Sequence, residues 1–461
     1  MSGGKRVSIG LTLFFHFMIM LALLGCQAQA VINIPTITPS PAPTATPVPP
    51  KNVLWVDTTR DLGLISKHTL GGNHGPWSEF SLDAFQKTID LGVTFIRWPG
   101  GNWGDRNDIR TLMIDTYIGE VRKIGAEPSI SVRVPGGSPG RAAELVRYVN
   151  ITKGYGVKYW NIGNEPNLYD NDPALNNDVK WTPQLYAKVW REFATAMRAV
   201  DPTILFYGPD ISQFIGDSTA APTEGDALDY LKEFLRVDGD MVNIVTVHRY
   251  PFPTCSNCGN PTWVQLRDNT AEWDNTLPNL RRIIKEITGK ELPVGVTEYN
   301  SNYSNAVGAD TSPDSFYNAL WLADVYGRLV RQRPEMLAYW LLKNNDGGAG
   351  LLTSFDVRPS YYSFVMWKKF GNHLLAASSD TQYTSVYASK TEDGTVTVML
   401  VNLNDKEVQK PLQLNGGDQL KLEQAFLFDA KHNAEPITPP KYTNNGAVTL
   451  PAESVMLLIF H

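Results

Sequence analysis

Two stretches decide how this 461-residue chain is read: Val157-Lys-Tyr-Trp-Asn-Ile-Gly-Asn-Glu-Pro166 and, far downstream, Pro293-Val-Gly-Val-Thr-Glu-Tyr-Asn300. Each is a short β-branched and aromatic run that ends abruptly at a glutamate, which is how a parallel barrel delivers a carboxylate to its mouth. A pair of glutamates on rigid strand ends suits cleavage of a glycosidic bond. One carboxyl group must protonate the leaving oxygen while the other attacks the sugar carbon or activates water.

Outward from these stretches, beginning near residue 60, short apolar runs alternate with amphipathic ones, the pattern of βα units around a parallel sheet. Strands are predicted at Thr69–Gly72, Thr94–Trp98, Ser129–Val134, Val157–Ile162, Leu205–Gly208, Ile244–His248, Val294–Thr297 and Leu337–Leu342. Helices are predicted between them, at Leu82–Leu91, Arg141–Val149, Pro183–Val200, Ala227–Leu235, Leu277–Thr288, Asp314–Arg331 and Tyr361–Phe370, among others. Eight such strands close a (β/α)₈ barrel over residues 53–375. Beyond it, residues 376–461 carry alternating strand patterns at Tyr383–Ala388, Val396–Asn402, Leu420–Asp429 and Val448–Phe460, expected to form an antiparallel β-sandwich. Asn52–Thr59, an apolar strand just ahead of the barrel, is placed to join that sandwich.

In a barrel every strand ends at one mouth, so strand ends nominate the site. The second predicted barrel strand ends Ile96-Arg-Trp-Pro-Gly-Gly-Asn102, the fourth Gly163-Asn-Glu-Pro166, the sixth Val247-His-Arg-Tyr-Pro251, the seventh Thr297-Glu-Tyr-Asn300 and the eighth Tyr339-Trp340. Arg97 closes an apolar strand, where an unpaired guanidinium is costly, so it should meet a carboxylate, with Glu298 the obvious one and an ion pair beneath the pocket the alternative. This set of ends resembles the retaining glycoside hydrolases of clan A, and within it the α-L-arabinofuranosidase and β-xylosidase branches. The resemblance runs over roughly residues 60–461. It implies Glu165 as general acid/base, Glu298 as nucleophile, Asn164 on the hydroxyl next to the anomeric carbon, and carboxyl groups about 5 to 5.5 Å apart with net retention. It also implies that His248 and Tyr250 line the site, the tyrosine hydroxyl against the nucleophile, and that Trp340 stacks under the sugar. Trp98, Trp103, Asn73, His74 and Asn102 are candidate rim contacts or else packing and turn residues. Asn-Glu-Pro alone also reads as a strand-to-helix turn with an Asn cap and Pro at the first helical position.

The resemblance leaves the sugar and the choice of exo or endo action open: an arabinofuranosidase or xylosidase acting on plant-type or microbial polysaccharide, an endo-acting β-glycanase of the xylanase or glucanase type, or a surface lipoprotein that binds polysaccharide without cutting it. No cofactor is called for. Asp346-Gly-Gly and Asp170-Asn-Asp lack the ligand spacing of a calcium loop, and Gly136-Gly-Ser-Pro-Gly140 lacks the Lys-Ser/Thr ending of a phosphate loop, so no metal is expected. A formal net charge of -6, without a Lys/Arg cluster, excludes an electrostatic footprint for nucleic acid.

The amino terminus reads as an address. Lys5 and Arg6 precede an apolar run from Val7 to Leu24, and Leu23-Leu24-Gly25-Cys26 resembles the lipobox of bacterial lipoproteins, making residues 1–25 a signal peptide and Cys26 the lipidated residue. An ordinary signal peptide or a single membrane anchor is the alternative; each places the folded part outside the cytoplasm, on the cell surface or secreted. The linker, residues 26–52, is rich in Pro and Thr and reads as an extended spacer. In such a compartment the remaining cysteines, Cys255 and Cys258, are expected to close a small loop as a disulfide. The oligomeric state has no signature in the sequence.

Overall fold

The computed structural model describes residues 50–176, 178–215, 227–252, 259–303 and 306–461, together with Ile37. The predicted leader, Cys26, Cys255 and Cys258 lie outside them. No helix among the described residues is long and apolar enough to cross a membrane.

Strand β1 (Leu54–Leu64) precedes a closed parallel barrel of β2 (His68–Asn73), β3 (Phe95–Trp98), β4 (Glu127–Val132), β5 (Tyr159–Ile162), β6 (Leu205–Ile211), β7 (Ile244–Arg249), β8 (Val294–Tyr299) and β9 (Met336–Tyr339). All eight fall on the runs the sequence nominated. They are apolar on both faces because the barrel interior is filled on one side and helices cover the other. The helices carry their own punctuation. Leu82–Leu91 starts at Ser81, whose hydroxyl accepts from the Ala84 N–H, and stops at the left-handed Gly92. Pro183–Val200 starts at Thr182 with Pro183 in its first turn. Thr111–Ile124, absent from the predicted set, buries Ile114, Tyr117, Ile118, Val121 and Ile124, a stripe at helical spacing.

Inside the barrel, side chains two apart along a strand sit in successive layers. Phe95, Tyr159, Tyr207, Ile244 and Met336 form an apolar layer low in the barrel, against which Ile37 packs. Two residues further along three of these strands stand Arg97, Asn161 and Thr246, all fully buried and polar. The site rests on this layer.

The remaining strands, β10 (His373–Ser379), β11 (Thr384–Lys390), β12 (Val396–Asn402), β13 (Val408–Asn415), β14 (Leu422–Phe428), β15 (Asn433–Ile437), β16 (Ala447–Leu450) and β17 (Ser454–Phe460), join β1 in one nine-stranded sheet, ordered β15-β14-β17-β12-β11-β10-β1-β13-β16. The expected sandwich is therefore a single curled, mostly antiparallel sheet; only β1 and β13 pair in parallel. β12 shows why both faces are apolar: Val396, Val398 and Leu400 join a core within the curl, while Met399 and Val401 join the core shared with the barrel helices. The tie includes Tyr387, whose hydroxyl donates to Asp324 at 2.7 Å. The predicted strand Val448–Phe460 is two strands, because Pro451 cannot donate to a ladder and the chain turns there to run between β14 and β12 as β17.

Candidate active site

Strand ends bring Glu165 and Glu298 together at the barrel mouth, where one oxygen of each and a ring nitrogen of His248 lie within 4.8 Å of one another. Glu165 follows β5 with a left-handed backbone, φ 48°, immediately before the 3₁₀ helix Pro166–Asn171. The strand-to-helix turn read in Asn-Glu-Pro thus exists, with Glu165 rather than Asn164 at the cap, and it is this turn that presents the carboxylate. A non-glycine residue held there is strained, and the surroundings fix it: Glu165 N–H donates to the Asp210 carbonyl at 3.1 Å, and Asn164 N–H donates to Asp105 at 2.8 Å. Asp105 also accepts from the Tyr169 hydroxyl at 2.7 Å; burial pushes its carboxyl up to about 6 even so.

Glu298 is gripped more fully. Arg97 Nη1 donates to its Oε1 at 2.7 Å, the Gly101 N–H donates to the same oxygen at 2.9 Å, and the Tyr250 hydroxyl donates to Oε2 at 2.8 Å. Gly101 has φ 57°, and a Cβ there would stand 2.6 Å from the Trp340 ring, so both the backbone conformation and the close approach require glycine. Glu298 points inward directly after Thr297, which also points inward, because the register of β8 slips by one residue against both neighbours there.

Arg97 organises the floor. Nη1 also donates to Asn73 Oδ1 at 2.9 Å, and Nη2 donates to Asn164 Oδ1 at 2.7 Å and to Asp210 Oδ2 at 2.8 Å. Asn164 in turn donates to Asn102 at 2.7 Å, and Asn73 donates to the carbonyls of Thr297 and Ala338. Asn73 is fully buried under the floor. Trp340 is half-buried beside Gly101, with the Trp77 ring 6.1 Å away; Tyr303 packs edge-on to Tyr250 at 5.6 Å.

Besides the buried Asn73, two more of the candidate rim residues are packing residues instead. Trp98 is not at the rim: alternation sends it outward from β3, where it is buried and stacks on Tyr117 at 4.6 Å between barrel and helices. His74 stacks on Phe80 and is buried rather than open to a substrate, its imidazole pushed down to about 3 by burial and Lys343. The sequence reading also passed over Asp105, Gly101, Trp77, Tyr303 and Asp210. Asp210 follows the cis Gly208-Pro209 pair at the end of β6, where a bulge leaves it opposite no residue of β7. A carboxylate closing an apolar strand was the available signal.

The electrostatics follow from burial against charge. Burial alone would depress the His248 imidazole, but Glu298 and Asp210 outweigh it and lift it to about 9. Burial would raise Asp210, yet Arg97 and His248 hold it well below the usual carboxylate range. For Glu298 burial wins: together with the Glu165 charge it keeps the carboxyl above its ordinary value despite His248, Arg97 and Tyr250. Burial, then Glu298 and Glu165, keep Tyr250 protonated and hence a donor. Glu165, His248 and Glu298 have the spacing of a cation site, but Glu298 is already paired with the Arg97 guanidinium at 2.7 Å, and an imidazole that favours its cationic form has no lone pair to offer a metal.

A closed barrel presenting two glutamates from its fourth and seventh strands, over a floor of Arg, Asn and Tyr, is the architecture of a two-carboxylate glycoside hydrolase. Residues 143–405 match the sequence profile of glycosyl hydrolases family 39, in clan A, and the chain belongs to that family. It is 26% identical over 215 residues to the intracellular exo-α-(1→5)-L-arabinofuranosidase of Streptomyces lividans, covering 37% of this chain and 30% of that protein. It is 22% identical over 266 residues to the β-xylosidase of Geobacillus stearothermophilus, covering 54% and 47%. The chain therefore spans less than half the length of either relative. Among solved structures, the family 51 arabinofuranosidase of Xanthomonas axonopodis pv. citri superposes with a TM-score of 0.69 at 17% identity, over 89% of this chain and 99% of that one. A family 44 endoglucanase from Clostridium thermocellum gives 0.68 at 15%, over 89% and 99%. At such identities these two speak for the fold alone.

Proposed function

We propose that this glycoside hydrolase works by double displacement with net retention, removing α-L-arabinofuranosyl or β-xylosyl units from oligo- or polysaccharide. The observation that carries the mechanism is the separation of the two glutamates, whose nearest oxygens lie within 4.8 Å. An approach this near fits the about 5–5.5 Å between carboxyl groups of a retaining pair better than the roughly 6.5–9.5 Å that leaves room for an inverting enzyme's water. Glu298 attacks the anomeric carbon as Glu165 gives its proton to the leaving oxygen; Glu165 then takes a proton from the water that releases the sugar. Arg97, Gly101 and Tyr250 hold the nucleophile, and Asn164, anchored by Arg97 and Asn102, faces the neighbouring sugar hydroxyl. Trp340 and Trp77 supply an aromatic surface beside the nucleophile, and Tyr303 packs against Tyr250. The names of the two sequence relatives support the choice of sugar.

The test is turnover of a panel of aryl glycosides by the purified protein and by Glu298→Gln, with the first-formed anomer read by proton NMR. Activity on arabinofuranoside or xyloside with retained configuration, lost in the variant, is expected. An inverted product sinks the mechanism, and oligosaccharide release from polymer without any aryl glycoside cleavage replaces the sugar assignment with an endo-glycanase. We further propose that Cys26 carries a lipid that tethers the enzyme outside the cytoplasm, on the strength of Leu23-Leu24-Gly25-Cys26. Incorporation of labelled fatty acid that survives Cys26→Ala would refute this.

A further inference from the structure

We propose that Asp210 is a positioning residue for the reaction, the buried counter-ion that holds His248 against Glu165 and Arg97 beneath Glu298; the proposal rests on the double-displacement reading above.

Asp210 is fully buried, and its oxygens are saturated with donors from four strands. Arg97 Nη2 and Asn161 Nδ2 donate to Oδ2, each at 2.8 Å, and the hydroxyls of Thr246 and Thr297 donate to Oδ1. Its backbone is left-handed, φ 56°, on a bulge, and its carbonyl accepts the Glu165 N–H. One residue thus touches the strands carrying the acid/base, the nucleophile, the arginine and the histidine. The His248 ring lies between carboxylates: Nδ1 faces Glu165 at 3.1 Å and Glu298 at 3.8 Å, while Nε2 stands 3.6 Å from Asp210 Oδ2. At 3.6 Å Nε2 makes no hydrogen bond, so Asp210 acts on the ring through its charge, and with Asp210 behind the ring and Glu298 in front of it the imidazolium is the favoured form. The charges facing the ring are Glu165, Glu298, Asp210 and Arg97, and Asp210 is the one among the three acids with no part in bond making.

The consequence concerns the first chemical step. The glycosidic C–O bond breaks, the Glu298 oxygen bonds the anomeric carbon, and the Glu165 proton moves to the departing oxygen. The carboxylate this leaves on Glu165 is met by the His248 N–H at 3.1 Å, and the proton on His248 stays in place because Asp210 stands behind it.

Asp210→Asn keeps shape, tolerates the left-handed backbone and removes the charge; its amide oxygen can still accept from Arg97 and Asn161, while the two threonine hydroxyls can turn to accept from its nitrogen. The expected result is a loss of about 10²-fold in kcat with KM little changed. In parallel, the His248 signal in ¹⁵N-histidine NMR, assigned by its absence in His248→Gln, should show both nitrogens protonated at pH 7 in the wild type and titrate at lower pH in the variant. An Asp210→Asn protein that keeps wild-type kcat, or one that loses kcat while His248 titrates as in the wild type, overturns the proposal. If the variant does not fold, the wild-type spectrum decides: a ring with one bare nitrogen at pH 7 overturns it, and a ring protonated on both nitrogens supports it. A wild type that turns over no glycoside defeats the catalytic reading instead, and the NMR arms still report on the Asp210–His248 contact.

Discussion

Tyr250→Phe removes one hydroxyl and little else. The ring is buried, its edge-on contact with Tyr303 survives, and only the 2.8 Å donation to Glu298 Oε2 is lost. A hydrogen bond to a charged group is worth about 1.5–3 kcal/mol, or roughly 10- to 150-fold in rate. The loss should fall mainly on the second step, for a physical reason. In attack the missing donor leaves Glu298 more basic and no worse a nucleophile, whereas in release of the sugar the full carboxylate charge must return to an oxygen that has lost its donor. The expected outcome is a kcat lower by that factor, an apparent KM that falls with it, and a burst of aglycone from a dinitrophenyl glycoside in stopped flow. The acid limb of the kcat/KM profile should also move upward. Burial already raises Glu298 and Tyr250 opposes it, so removing the hydroxyl lets the proton bind at higher pH. Wild-type kcat with no burst and an unmoved acid limb would refute the reasoning.

Arg97→Met strips the shared cation from Asp210 and Glu298 at once, and leaving buried carboxylates uncompensated should cost about 3–5 kcal/mol, read as a lower thermal midpoint together with loss of turnover. Trp98→Ala should do the opposite of what a rim residue would: a stability loss of about 3–5 kcal/mol from the cavity against Tyr117, with KM for small substrates unchanged. The imidazole of His248, lifted to about 9 chiefly by Glu298 and Asp210 against burial, makes a stabilising contribution that is complete below its unfolded value near 6.5 and disappears as pH rises through about 9. Thermal midpoints should therefore fall between those pH values in the wild type and do so less in His248→Gln.

What the sequence disclosed and what it hid divide along physical lines. The eight barrel strands are visible because a strand buried on both faces is a continuous apolar run, and the two glutamates because each interrupts such a run at its end. Parity within a strand was also available: Arg97 and Trp98 are neighbours and must face opposite ways, so an inward Arg97 already excluded Trp98 from the pocket. Bulges were not available. Thr297 and Glu298 both face inward, and Asp210 stands out of register, only because pairing slips by one residue at those points, and a slip depends on the partner strand rather than on local pattern. The nine-stranded sheet was hidden for a related reason. Whether alternating strands form two sheets or one curled sheet is set by which distant edges pair, and here β1 joins β10 to β13 across most of the chain.

The arrangement also assigns different freedoms to the two glutamates. Glu298 accepts from Arg97, Gly101 and Tyr250, and its side chain is 4% exposed; Glu165 meets His248 among the described residues, and its side chain is 12% exposed. A nucleophile must be held still, because misalignment of the attacking oxygen is felt directly in the barrier. An acid/base must pass a proton to the leaving oxygen and then accept one from water, so it needs room, an open side and a partner that tolerates both of its charge states. Arg97 balances only one of the two negative charges on Asp210 and Glu298; an imidazolium at His248 balances the other, so the floor is neutral before any sugar binds. On the proposed mechanism charge then changes at two places, at Glu165, which gives up and regains a proton, and at Glu298, which is neutral while esterified and ionised again on release; Arg97, Asp210 and His248 can stay fixed through both steps.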